Sequence, residues 1–276
     1  MVRDAESKGR VDAGRGLLSM DAKGFYDALG DDYDRMVSWQ ERLGREERFF
    51  RPLFETHSVR SVLDCACGTG MHAVAFAQWG LASAGGDLSP VMIEHARANV
   101  LAAGVPVDMR VAGFGHMAES FDRSFDAVTC LGNSLPHVRE ESSLRACLAD
   151  FRAILSPGGI LVIQNRNYDR LLRERQRFLP LTARTDAGGE TLFLRITDFP
   201  DSASEESIDF TLITLRKMGG AWSQSTQTTP LRALRRATLE AALMAAGFSS
   251  FKTYGAFSGA PFDSPGSTDL VIVARA

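Results

Sequence analysis

Between residues 61 and 164, short apolar runs alternate with amphipathic stretches, and that rhythm leaves few architectures open. Runs over 61–65, 82–86, 107–111, 125–130 and 160–164 read as buried strands. The stretches 71–79, 90–103 and 140–155 between them read as helices, with Ser89 as a cap and Pro90 at a first helical position. Strands alternating with helices at this spacing imply an α/β fold, a parallel sheet joined by crossover helices. The first strand runs straight into Asp64-Cys65-Ala66-Cys67-Gly68-Thr69-Gly70. Gly68 and Gly70 let the backbone turn sharply and admit a ligand where a Cβ would collide. The turn meets a helix N-terminus, whose free N–H groups and dipole favour an anionic ligand group. It reads as a nucleotide-type site.

The rest of the chain frames this core. Residues 1–20 are polar and aperiodic and read as a tail. Asp21 is positioned to cap a helix carrying Phe25, Leu29, Tyr33 and Met36 at helical spacing, and a second helix over 40–55 buries Leu43, Phe49, Phe50 and Phe54. These two make a helical cap over 21–57, ahead of a ligand-binding domain over 58–276. Within that domain, 191–199 and 207–218 alternate apolar and polar residues, which marks an antiparallel excursion over about 178–233. A helix over 234–246, stopped by Gly247, precedes two last strands at 248–254 and 269–274.

At 276 residues the chain can bury a full core without disulfides or a metal. A net charge of −3 gives no basic footprint and argues against nucleic acid. No apolar run is long enough to span a membrane, and the N-terminus lacks a signal-peptide pattern, so the expected compartment is the cytoplasm. Cys65, Cys67, Cys130 and Cys147 lack metal-ligand spacing and read as buried, reduced thiols.

Gly68-x-Gly70-x-x-Ala73 also fits a dinucleotide fingerprint, but Asp64 at the strand end would repel a pyrophosphate. A phosphate-free nucleoside with an amino group suits it better, and S-adenosylmethionine is such a ligand. Asp87, after the second strand and the Gly85-Gly86 pair, is placed to accept both ribose hydroxyls. The Asp-x-Ala-Cys-Gly-Thr-Gly turn, Asp87 and the Ser156–Gly159 turn together resemble the class I S-adenosylmethionine-dependent methyltransferases. That resemblance implies a Rossmann-like, mostly parallel seven-stranded sheet whose last strand is antiparallel.

Two further segments, Cys130-Leu131-Gly132-Asn133-Ser134-Leu135-Pro136-His137 and Asn165-Arg166-Asn167-Tyr168-Asp169, are similar to stretches of the glycine and sarcosine N-methyltransferases. Both lie at C-terminal strand ends, where open α/β sheets bind ligands. Arg166 offers a planar fork for a substrate carboxylate. The resemblance implies that Arg166 and Asn133 contact the substrate and that Tyr26 lies near the reacting centre, with Tyr33 competing for that role. It further implies a cofactor pocket of Tyr33, Arg45, Asp64, Ala66, Gly68, Gly70, Asp87, Leu88, Met92, Phe114, Leu131 and His137. His137 is expected as a pocket contact and not a base, since an amine can lose its proton to water first.

The chain departs from the family at Gly113, where an acidic or amide residue is usual, and at Phe193 and Phe210, where tyrosines are expected. The expectation is glycine- or sarcosine-like N-methylation of a small, carboxylate-bearing amine, with the missing tyrosine hydroxyls leaving room for a larger or more apolar amine or acid. O-methylation of a small natural product, or S-adenosylmethionine binding without turnover, remain open alternatives. An NAD-dependent oxidoreductase is disfavoured by Asp64. The expected partner is a small-molecule methyl acceptor, with no nucleic acid and no membrane, and the resemblance hints at a homo-oligomer.

Overall fold

The computed structural model describes residues 20–30, 32–186, 189–199 and 206–276. Apart from Met20, the expected tail lies outside the described residues. Asp21 caps α1 (Ala22–Leu29), its Oδ1 accepting from the Gly24 amide at 2.8 Å. The expected single helix through Met36 is in fact two: Gly30, at φ 46°, ends α1, and α2 (Asp32–Met36) follows. Then comes α3 (Trp39–Thr56), which buries Phe50 and Phe54.

The alternating core follows in the expected order: β1 (Ser61–Cys65), α4 (Met71–Gln78), β2 (Ala82–Asp87), α5 (Pro90–Ala103), β3 (Val107–Val111), α6 (Met117–Ser120), β4 (Phe125–Cys130), α7 (Glu141–Ile154) and β5 (Leu155–Arg166). Ser89 caps α5 by accepting from the Met92 amide at 3.0 Å. The turn expected at 157–159 is a kink inside β5, whose pairing with β4 shifts register between Phe125 and Ala127. Beyond β5 lie α8 (Tyr168–Glu174), β6 (Thr182–Asp186), β7 (Gly189–Asp198), β8 (Ser207–Met218), β9 (Ala221–Arg232), α9 (Arg236–Ala245), β10 (Ser250–Tyr254) and β11 (Asp269–Arg275).

The main sheet has seven strands in the order β10-β11-β5-β4-β1-β2-β3. Neighbours from β3 to β5 pair in parallel, and β11 runs antiparallel to both β5 and β10. The chain goes from β1 to one side, through β2 and β3, and returns to the other through β4 and β5. A crevice therefore opens at the C-terminal ends of β1 and β4. One face packs on α3 and α4 through Phe50, Phe54 and Phe76. The other packs on α7 and α9 through Leu144, Phe151 and Leu239. The four cysteines are buried and unpaired.

The excursion is a separate antiparallel sheet, β6-β7-β8-β9. Gly219 and Gly220, both at positive φ, close the hairpin from β8 to β9. Phe193 and Leu212 of this sheet pack against Phe25 and Leu29 of α1 and Met92 of α5. The sheet thus fastens α1 above the crevice as a roof. Among the described residues, no helix is long and apolar enough to cross a membrane.

Candidate functional site

The turn after β1 is shaped by its backbone. Ala66, Gly68 and Gly70 take φ of 55°, 54° and 76°. The Gly68 amide donates to Asp87 Oδ2 at 2.8 Å, and the Ser89 amide donates to Asp87 Oδ1 at 2.9 Å. Each Asp87 oxygen keeps a lone-pair direction for a further donor, which suits a pair of ligand hydroxyls. Burial raises the Asp87 pKa, opposed by the hydrogen bonds from Ser89 and Gly68. Leu88, the next residue, is half exposed and offers an apolar surface beside that carboxylate. A Cβ on Gly68 would stand 3.5 Å from the Tyr33 ring, so the glycine keeps a space open under the aromatic side chain.

Beneath the turn runs a buried chain of polar groups. Thr129 Oγ1 donates to Asp64 Oδ1 at 2.6 Å, and His72 Nδ1 lies 4.0 Å from Asp64 Oδ2. The other face of His72 meets Glu46 Oε2 at 2.7 Å, and Arg42 Nε donates to Glu46 Oε1 at 2.8 Å. Burial pushes Glu46 up, but His72 and Arg42 outweigh it and hold its pKa below the usual carboxylate range. Asp64 moves up because burial prevails over His72, Thr129 and Arg42. This chain ties α3 to β1, α4 and β4 under the ligand turn.

At the mouth, β4 is followed by a turn through Gly132 and Asn133, at φ 72° and 64°. Asn133 Oδ1 accepts from the Arg166 amide at 3.0 Å and from the Tyr168 hydroxyl at 3.1 Å. The Gly132 amide donates to Gln164 Oε1 at 2.8 Å, and Gln164 Nε2 donates to Asp269 Oδ1 at 3.1 Å. The ends of β4, β5 and β11 are so locked together. No hydrogen bond or ion pair engages the Arg166 guanidinium among the described residues. Burial lowers its pKa, against the attraction of Tyr168 and Asp269. Above it, the roof contributes Tyr26, whose hydroxyl is 3.3 Å from His137 Nε2. Burial lowers the His137 pKa to about 4, so the ring is neutral at pH 7. The Tyr26 hydroxyl is pushed up by burial and by the nearby Tyr33, Asp87 and Tyr168.

Known proteins share this fold and stretches of this sequence. A family described as a methyltransferase domain matches residues 62–159. An S-adenosylmethionine-dependent methyltransferase from Clostridium acetobutylicum ATCC 824 superposes with a TM-score of 0.73 at 14% identity, over 91% of this chain and 97% of that one. The CcbJ methyltransferase of Streptomyces caelestis gives 0.71 at 22% identity, over 91% and 98%. The fold is that of a class I methyltransferase. In sequence, the chain is 38% identical over 142 residues to a glycine/sarcosine N-methyltransferase of Parasynechococcus marenigrum (strain WH8102), covering 51% of this chain and 50% of that protein. It is 36% identical over 144 residues to a glycine/sarcosine/dimethylglycine N-methyltransferase of Actinopolyspora halophila, covering 51% and 25%. The chain thus spans half the length, or less, of these two relatives.

Within the methyltransferase fold, Tyr26, Tyr33, Ala66, Gly68, Gly70, Asp87, Leu88 and His137 gather around the crevice, and Asn133 and Arg166 flank it. Five expected contacts sit otherwise. Asp64, only 1% exposed, lies beneath the turn and acts on it through Thr129 and His72. Met92 is fully buried in the roof cluster, and Leu131 is buried against the α3 face. Arg45 is exposed on α3, whereas Arg42, one turn earlier, comes within 3.9 Å of a Cβ built on Gly132 and lies over the Trp39 ring. Phe114 packs on Phe151, with centroids 5.9 Å apart. Arg42, Glu46, His72, Gln164 and Asp269 escaped the sequence reading. The signal that marks Arg42 and Glu46 is their i,i+4 spacing with a histidine in the following helix.

S-adenosylmethionine fits this cradle. The turn offers no cation for a pyrophosphate, Asp87 offers two acceptors for a diol, and Gly68 leaves open space that a Cβ would fill.

Proposed function

We propose that the protein transfers a methyl group from S-adenosylmethionine to the amine of a small, carboxylate-bearing acceptor. The observation that carries the reading is the Arg166 guanidinium: half-buried, without an ion pair among the described residues, at the strand end beside the ligand crevice. A buried cation without a counter-ion is costly unless a ligand supplies one. A carboxylate fits its fork, and Asn133 holds the Arg166 backbone in place. The relatives named for glycine and sarcosine support a nitrogen acceptor.

When bound, S-adenosylmethionine supplies an electrophilic methyl group. The chain's own residues bind, orient and exclude water. Asp87 and the turn hold the nucleoside end. Tyr26, Tyr33 and neutral His137 make a low-dielectric roof in which an acceptor amine stays uncharged and nucleophilic. Alignment of the kind such a closed site provides lowers a barrier by roughly 7–11 kcal/mol.

The test is steady-state kinetics of Arg166→Ala and Arg166→Lys with a panel of amino acids. Loss of a two-point charged contact predicts a KM roughly 100-fold higher in Arg166→Ala, with partial recovery in Arg166→Lys. Cofactor affinity measured by calorimetry stays near wild type. An unchanged acceptor KM in both variants overturns the assignment.

A further inference from the structure

A cavity of about 1290 Å³ runs between α3 and the face of β5, β11 and β10 that α3 covers only in part. Side chains two apart on a strand share a face, and the register of the sheet orders this one. Asp269 pairs with Arg166 at the inner end, and Arg275 pairs with Ile160 at the outer end. Between them the same face carries Val273, which lines the cavity with Ile160, and Phe49 and Leu53 of α3 stand opposite. The groove therefore has three zones: the polar mouth at Arg166, an apolar middle, and a basic outer end. From Ile160 to Arg166 the strand rises roughly 20 Å.

The outer end is built by Lys252 of β10 and Arg275 of β11, both exposed and both lining the cavity. Neither makes an ion pair among the described residues, and the same holds for Arg45 and Arg48 on the α3 rim. His57, at the end of α3, has its pKa lowered by burial and then by Arg275 and Lys252, which places all three in one positive field. A second copy of the chain is a poor occupant. A twofold contact sets a patch against itself, and this patch would meet its own positive charge.

We propose that this groove seats the distal part of the methyl acceptor, an apolar segment ending in a carboxylate or phosphate held by Lys252 and Arg275. The inference rests on Arg166 as the clamp for the acceptor's head, and it makes the acceptor an elongated molecule with a charge at each end.

The first test is calorimetry with a saturated α,ω-dicarboxylate long enough to reach from Arg166 to Arg275, and with the monocarboxylate of equal length. The dicarboxylate is expected to bind about tenfold more tightly, and Lys252→Glu/Arg275→Glu to remove that advantage. Circular dichroism checks that the variant is folded, and an ω-phosphate monoester of the same length tells phosphate from carboxylate. Equal binding of dicarboxylate and monocarboxylate overturns the inference, as does a dimer in sedimentation whose formation excludes the dicarboxylate. The second test is turnover. The α-amino derivative of the dicarboxylate is expected to exceed the plain α-amino acid about tenfold in kcat/KM, a gain absent from the double variant. Turnover on both without that preference overturns the inference alone; turnover on neither overturns the reading on which it rests.

Discussion

The strand ends after β1 and after β4 both carry a glycine followed or preceded by a non-glycine residue at positive φ: Ala66 with Gly68 in one, Asn133 with Gly132 in the other. They hold their shape by different means. The β1 turn is held at its backbone: Asp87 accepts from the Gly68 amide and Asn99 Nδ2 donates to the Thr69 carbonyl, with Thr69 Oγ1 donating to Asp34 beside them. The β4 end is fixed by side chains that reach between strands: Asn133 to Arg166 and Tyr168, Gln164 to Gly132 and Asp269. A backbone-made site suits a ligand common to many proteins, because the side chains around it are free to vary. A side-chain-made site suits an acceptor peculiar to one. The two halves should therefore fail differently when perturbed: the first in folding and cofactor binding together, the second in acceptor binding.

The largest effect is expected at Gly70. An added Cβ would lie 2.6 Å from Met109 Cε and 2.9 Å from the Ala96 Cβ, at φ 76°. Met109 can swing away, but Ala96 is fixed on α5. Overpacking and left-handed strain together predict that Gly70→Ala loses about 3–4 kcal/mol in urea denaturation, with cofactor binding lost alongside. A variant that folds normally and binds acceptor but not cofactor would show that the turn contributes nothing to stability.

The roof supplies the next effect, through His137. Its folded-state pKa is about 4, below the ordinary value near 6.5. As pH falls, the unfolded chain takes up the proton first. The stability that neutral His137 contributes is thus complete above pH 6.5 and is lost as pH drops toward 4. The loss is on the order of 3 kcal/mol. Asp64, Asp87 and Asp269, with raised pKa values, oppose it in part of that window. Subtracting the pH profile of His137→Gln from that of wild type isolates the histidine. A flat difference would mean that the ring is open to water and that the roof does not close.

Legibility in the sequence follows the same division. Elements with their own signal were readable: β1, β3, β4 and α5 lie where apolar runs and the Ser89-Pro90 start place them. The split between α1 and α2 was missed because Phe25, Leu29, Tyr33 and Met36 keep helical spacing across Gly30. β9 was missed because Ser, Thr and Gln dominate it, and β8 alone makes it a strand by pairing along its full length. In the site, Gly68, Gly70 and Asp87 announce themselves by position next to a strand. Asp64 announces itself too, but strand geometry turns it inward to a threonine 65 residues away. The Gln164–Asp269 bond spans 105 residues, and no local pattern encodes such a pair.

Asn133 tests the side-chain half. Asn133→Ala leaves the Arg166 amide and the buried Tyr168 hydroxyl without their acceptor and keeps a Cβ at φ 64°. The expected loss is about 2 kcal/mol of stability, with a raised acceptor KM. Asn133→Gly removes the strain but not the missing acceptor. It should recover part of the stability and none of the KM. Full recovery of both in Asn133→Gly would reduce Asn133 to a turn residue, and the two strand ends would then be built alike.

The smallest effect is the sharpest probe of the backbone half. Ala66 sits at φ 55° between two buried residues, Cys65 and Cys67, in a region that glycine enters without strain. Ala66→Gly relieves that strain in the folded state but frees the unfolded chain, and the two effects have opposite signs. Strain at a left-handed non-glycine residue is worth about 1–2 kcal/mol, and the entropy released is about 0.4–1 kcal/mol. The balance predicts a gain of up to about 1.5 kcal/mol in denaturation, with cofactor affinity unchanged because the turn already has the required shape. If Ala66→Gly weakens cofactor binding while stabilising the fold, the alanine is what stiffens the turn. The β1 end would then depend on a side chain, as the β4 end does.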